Sequence, residues 1–150
     1  MIVGVDANIS PKVVRALQSL YMEHTFTRVG IGPAESDAPW IADFSQNGGD
    51  GLITLDKRIL SRPHEVEALF QSQLLTCVFN FGKMTDFRMQ ASFIIEYWQY
   101  LDPIWSTANP PRVIKARPVR NRNKPTLESL EYYMQDEKPK LRSTKLLLLD

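Results

Sequence analysis

The chain has 150 residues, 43% hydrophobic and 23% charged, with a formal net charge of +1. That length suits one domain with a true core plus a tail, and the composition excludes a disordered chain. No apolar run reaches the ~20 residues of a membrane-crossing helix. No signal-peptide pattern marks the first residues, and the single cysteine, Cys77, excludes an internal disulfide and a cysteine-built zinc site, so the expected setting is cytoplasmic.

In chain order, short strand-like runs alternate with helical ones up to about residue 117. Ile2-Val3-Gly4-Val5 reads as a buried strand ending in Asp6. Ser10-Pro11 starts a helix, with Val13, Val14, Leu17, Leu20 and Tyr21 at helical spacing. Thr25 to Val29 is rich in β-formers and is broken by Gly30-Ile31-Gly32-Pro33. Ser36 or Asp37 caps a second helix with Trp40, Ile41 and Phe44 inward. Leu52-Ile53-Thr54-Leu55 is a third strand ending in Asp56. A weaker helix follows around Glu65 to Phe70, then a fourth strand from Leu74 to Phe79, where Cys77 should be a buried, inert thiol. The longest helix carries Phe87, Ala91, Ile94, Trp98 and Leu101, and Val113 to Ala116 is a fifth strand. Five strands separated by four helices predict a mostly parallel sheet covered on both faces.

The last residues differ in character. Arg112, Lys115, Arg117, Arg120, Arg122 and Lys124 form a basic stretch with no acid among them. Such a stretch meets phosphates or an acidic partner, or else is a solvated linker. Thr126 starts a short helix bearing Leu127, Leu130, Tyr133 and Met134, and Leu127, Leu130 and Met134 are spare enough to await a partner. The apolar ending Leu146 to Leu149 packs back on the domain or on a partner. The expected organisation is a domain over 1–117 and a basic linker with C-terminal extension over 118–150.

Asp6 and Asp56 each follow a four-residue apolar run, and in an open parallel sheet ligands sit outside the carboxyl ends of strands, where the strand order reverses. Asp37, at the start of the helix after the second strand, falls on the same edge. Like charges ~4 Å apart repel by about 1 kcal/mol even in water, so three converging aspartates must take up protons or a cation. Oxygen ligands without histidine or thiol select Mg²⁺ or Mn²⁺ over zinc, and such an ion can activate water against a phosphodiester. Singly, each acid has a plainer explanation: a turn at Asp6, a helix cap at Asp37, a solvated loop at Asp56. Glu35 could join from the loop, Asp43 faces outward and Asp50 serves a glycine-rich turn. His24 and His64 stand isolated and read as structural.

Asp6-Ala7-Asn8-Ile9-Ser10-Pro11, Ser36-Asp37-Ala38-Pro39-Trp40-Ile41 and Leu52-Ile53-Thr54-Leu55-Asp56-Lys57-Arg58 together resemble the PIN-like superfamily, most closely its VapC-type toxin ribonucleases. The resemblance covers residues 1 to 117. It implies a PIN-like three-layer α/β/α sandwich with a mostly parallel five-stranded sheet, and a Mg²⁺- or Mn²⁺-dependent endoribonuclease, the toxin of a toxin–antitoxin pair. Asp6, Asp37 and Asp56 would hold the metal, Asn8 would orient Asp6 or a metal water, and Lys57 and Arg58 would contact phosphate. The implied partners are RNA, an antitoxin protein and a second copy of the chain, with no membrane; Tyr97, Trp98 and Tyr100 could supply the dimer face, although Trp98 reads first as a core residue. One departure stands out: the fourth acidic position common after the third is replaced by Lys57-Arg58-Ile59-Leu60-Ser61. The rival reading is a catalytically inactive PIN-like module that binds RNA or protein.

Overall fold

The computed structural model describes residues 1–32, 35–118, 126–135 and 138–146, with the backbone alone for Lys138 and Pro139. In chain order the elements are β1 (Ile2–Asp6), α1 (Pro11–Leu20), β2 (Thr25–Val29), α2 (Ala38–Gln46), β3 (Gly51–Thr54), a 3-10 turn (Lys57–Leu60), α3 (Pro63–Gln71), β4 (Leu75–Phe79), α4 (Phe87–Trp105), β5 (Val113–Arg117), β6 (Thr126–Gln135) and β7 (Lys138–Lys145). Local chemistry sets several starts. Ser10 Oγ accepts the Lys12 N–H with Pro11 in the first turn of α1, and the Asp86 side chain accepts the Arg88 and Met89 N–H groups at the head of α4.

One sheet carries all the strands, in the order β2-β1-β3-β4-β5-β6-β7. The first five in chain order pair in parallel, as expected from their apolar runs, whereas β5–β6 and β6–β7 are antiparallel. The sheet is therefore mixed and seven-stranded, not five-stranded. The expected helix after Thr126 is strand β6. Leu127 and Leu130, at 0% and 6% exposure, are buried on opposite sides of the sheet rather than left spare for a partner, while Met134 is 56% exposed. Thr126, Tyr132 and Tyr133 are strong β-formers, and pairing with β5 overrides the helix-like leucine spacing.

Two cores flank the sheet. One joins Val3, Val5, Ile53, Cys77 and Ile114 to Val13 and Leu17 of α1 and to Ile94, Tyr97, Trp98, Leu101 and Trp105 of α4. The other joins Leu52, Val78 and Val113 to Ile41 of α2 and Leu69 of α3. Cys77 is fully buried, and that burial pushes its thiol far up from the ordinary value, in keeping with an inert side chain. Tyr97 and Trp98, at 2% and 1% exposure, belong to the core, while Leu20 of the expected α1 stripe is 62% exposed. Since α1 and α4 share a face although β1→β2 and β4→β5 step in opposite directions across the sheet, those two crossovers have opposite hands, a rarity in parallel sheets. The result carries the start of α4 over the carboxyl end of β1, where Phe87, Gln90 and Ile94 line a groove with Asn8 and Leu55. Among the described residues no helix is long and apolar enough to cross a membrane.

Candidate active site

The chain leaves β1 toward β2 on one side and returns to β3 on the other, so a crevice opens at the carboxyl ends of β1 and β3. Val5 is in register with Ile53, which sets Asp6 beside Thr54. Thr54, fully buried, donates its hydroxyl to Asp6 Oδ2 at 2.5 Å and accepts from the Asp56 N–H at 3.0 Å and from Asn8 Nδ2 at 3.4 Å. Asn8 adds its own N–H to Asp6 Oδ1 at 3.4 Å, and its side-chain oxygen accepts the Leu55 N–H at 3.3 Å. One hydroxyl and one amide thus tie the first and third aspartates to the strand ends.

Asp37 reaches the site differently. It occupies the cap position of α2 but makes no side-chain cap hydrogen bond. Its Oδ1 accepts Trp40 Nε1 at 2.9 Å, and its N–H donates to Glu65 Oε1 at 3.1 Å. Asp6 is 8% exposed. Burial, then the charges of Asp37 and Asp56, raise its carboxyl above the ordinary value against the hydrogen bonds from Thr54 and Asn8. Asp56 Oδ1 accepts from the Arg58 N–H at 3.0 Å and Arg58 Nε at 3.1 Å, and Arg62 lies 3.8 Å from Oδ2. The Glu65 hydrogen bond and charge, with Asp56 and Asp37 behind them, hold Arg62 firmly charged.

The structure therefore brings Asp6, Asn8, Asp37, Asp56 and Arg58 to one crevice, with exposed Lys57 at its lip. The donor set suits a hard cation: three carboxylates, no imidazole or thiol, and a buried carboxylate whose neighbours a cation would relieve. The three aspartates nevertheless do not all bring ligand atoms within 4.8 Å of one another. Among the described residues, the group of His, Cys, Asp and Glu ligand atoms lying mutually within 4.8 Å is Glu23–His24–Asp102, at the other end of the strands. A magnesium ion that keeps several waters needs only one or two direct carboxylates, so such spacing fits it.

The described residues of the basic stretch do not form one patch. Arg112 clamps Gln73 through its backbone oxygen at 2.9 Å and its side-chain oxygen at 3.1 Å, at the end of β5 away from Asp6. Lys115 is half-buried within β5, and Arg117 pairs with Glu128 at 3.8 Å. Arg120, Arg122 and Lys124 lie outside the described residues, as does the end of the apolar tail beyond Leu146. Glu35 is exposed in its loop, Asp43 is exposed on α2, and Asp50 accepts the Ile2 N–H at 2.7 Å.

Glu65, Arg62 and Thr54 were not singled out from the sequence. Glu65 is fully buried and bound by Arg62 Nη1 at 3.0 and 3.1 Å. Its signal was there: it sits on the inner stripe of α3 with Val66 and Leu69, three residues after an arginine. A buried acid thus stands beside Asp37 even though none follows Asp56 directly. The larger groove between α2 and α3, walled by small and polar residues such as Ala42 and Ser45, holds none of the three aspartates, and we place no chemistry there.

A family described as PIN like domain matches residues 1–80, from β1 through β4 and over all three aspartates. The chain belongs to that family. PIN-like domains are commonly nucleases and typically use divalent metals, so the crevice is where such chemistry is expected in this PIN-like domain. The match ends before α4, β5 and the β6–β7 hairpin. No curated protein and no solved structure matches the chain.

Proposed function

We propose that this PIN-like domain is a Mg²⁺- or Mn²⁺-dependent endoribonuclease and, as in the VapC-type branch its motifs resemble, the toxin of a toxin–antitoxin pair. The observation that carries the reading is Asp6: a buried carboxylate at a strand end, raised by burial and by two converging aspartates. Such a group is costly in a scaffold and is useful where a cation is bound. Asp6, Asp37 and Asp56 would hold the ion. A bound Mg²⁺ or Mn²⁺ supplies a water of lowered pKa and neutralises charge at the phosphodiester.

The chain's own residues do the rest. Thr54 and Asn8 fix the Asp6 oxygens, so the carboxylate is oriented before any ligand arrives. Glu65 positions the Asp37 backbone from beneath. Lys57 and Arg58, both exposed, meet phosphates flanking the one that is cut. Two grooves share Leu55 and Gln90: one includes Asn8 and Phe87, the other Asp56, Arg58 and Phe81. Together they offer a single strand aromatic contacts beside Asn8 and Asp56.

A specific observation favours the inactive module as second reading. Asp56 is engaged by Arg58 and Arg62, and Asp37 by Trp40, so two of the three acids already have partners. Cleavage of a mixed RNA pool by the purified chain decides between them, with Mn²⁺ or Mg²⁺ against chelator, and wild type against Asp6→Asn. Metal-dependent cleavage should fall by more than about 100-fold in Asp6→Asn, since even residues behind metal ligands are worth 10–100-fold. Well-folded wild type without metal-dependent cleavage would leave the binding module. The toxin assignment is read by induction in a growing host, where wild type should arrest growth and Asp6→Asn should not.

A further inference from the structure

At the end of the strands away from Asp6, three side chains that the nuclease reading does not use come together. Glu23 and His24 lie between α1 and β2, and Asp102 comes from the last turns of α4. His24 Nε2 is 3.2 Å from Asp102 Oδ1 and 3.8 Å from Glu23 Oε1, and all three ligand atoms fall within 4.8 Å of one another. The His24 side chain is only 9% exposed. Its ring stands edge-on to Trp98 at 5.3 Å and to Phe26 at 6.2 Å, which fixes its plane. Nδ1 faces the Met1 amino group at 3.4 Å, leaving Nε2 as the nitrogen turned to the carboxylates.

That nitrogen is the informative atom. Nε2 is buried and makes no hydrogen bond, so its axis is aligned on neither carboxylate despite their closeness. A histidine serving merely to pair with Asp102 would aim at it. Here a buried nitrogen that makes no hydrogen bond lies within ion-pair distance of two acidic oxygens that repel each other, and a cation between them satisfies all three at once.

We propose that Glu23, His24 and Asp102 form a second metal site, for zinc, with water completing the coordination. Zn–N and Zn–O bonds of about 2.0–2.2 Å in a tetrahedron set neighbouring ligand atoms roughly 3.3–3.6 Å apart. The observed 3.2 and 3.8 Å from Nε2 bracket that range, and the two carboxylate oxygens lie within 4.8 Å of each other. An imidazole with two carboxylates favours zinc over magnesium, the reverse of the oxygen-only crevice around Asp6. Bound there, zinc ties the segment before β2 to the final turns of α4 and acts as a staple, remote from the proposed cleavage chemistry. The site does not depend on the nuclease reading.

The test uses the full chain stripped with chelator, titrated with Zn²⁺ by calorimetry and with Co²⁺ by visible absorbance. In an Asp6→Asn background, which weakens the crevice, one equivalent should bind, and adding His24→Gln or Glu23→Gln should weaken that binding at least about tenfold. Glu23 is 61% exposed, so its substitution leaves the fold intact and keeps the test decisive even if His24→Gln unfolds. Absence of zinc binding in that background, or binding indifferent to Glu23→Gln, would each overturn the proposal.

Discussion

Gly30 sits at φ +66°, and a Cβ built there would lie 3.2 Å from Trp40 Cε2 and 3.3 Å from Asp6 Oδ1. The position is thus constrained twice, by a left-handed backbone and by the close approach of two site residues. Gly32, at φ +110° with nothing within 4 Å of its Cβ, carries only the first constraint. Gly30→Ala should therefore lose about 1–2 kcal/mol in urea unfolding from the backbone alone. Cleavage should also fall, because Trp40 must shift and its indole N–H holds Asp37. Gly32→Ala serves as the control: it should destabilise while leaving activity per folded molecule unchanged. Equal losses of activity in the two variants would remove Gly30 from any role in shaping the crevice.

At the level of elements, the β6–β7 hairpin is an integral part of the sheet. Leu127 packs into the core under α4, Leu130 into the core under α3, and Tyr132 stacks on Phe70 at 5.4 Å. Leu127→Ala and Leu130→Ala should each cost about 2–4 kcal/mol in urea unfolding, the range for truncating a buried leucine. A change near zero would mean that the hairpin is not docked in solution. The five parallel strands and four helices were legible in the sequence because the strands are short apolar or β-forming runs bounded by turn residues and the helices keep an apolar stripe. The hairpin was not: β6 buries Leu127 on one face and Leu130 on the other, so these two core residues fall at helical spacing and no alternation marks the strand. The aspartates could be read as a set because an acid after an apolar run marks a strand end. Thr54 could not, since what it does depends on which strand neighbours which, and register is not written in any one segment. The same limit hid Asp102, whose meeting with His24 follows from α4 crossing back over β2's face of the sheet.

For the molecule as a whole, Asp6 makes stability depend on pH and metal in opposite senses. Its carboxyl is raised above the ordinary value of 3.8, chiefly by burial. A group raised in the folded state contributes stability that is complete below the unfolded value and is lost as pH rises through the folded one. Without metal, ionised Asp6 therefore works against folding at neutral pH. Asp6→Asn cannot ionise, and its amide oxygen can still accept from Thr54, losing at most the longer contact from the Asn8 N–H. In chelator, Asp6→Asn should thus unfold at higher urea than wild type near pH 7, with the difference closing as pH falls below about 4. Saturating Mn²⁺ should invert the order, because the ion binds the charged carboxylate. At a hundred times its dissociation constant it would add about 2.7 kcal/mol to wild type, and much less to Asp6→Asn. Mn²⁺ can also reach an imidazole site, so both proteins are compared in a Glu23→Gln background, which weakens the second centre and leaves the crevice untouched. If wild type proves the more stable of the two in chelator near pH 7, Asp6 is not held against its charge, and the observation on which the nuclease reading rests fails with it.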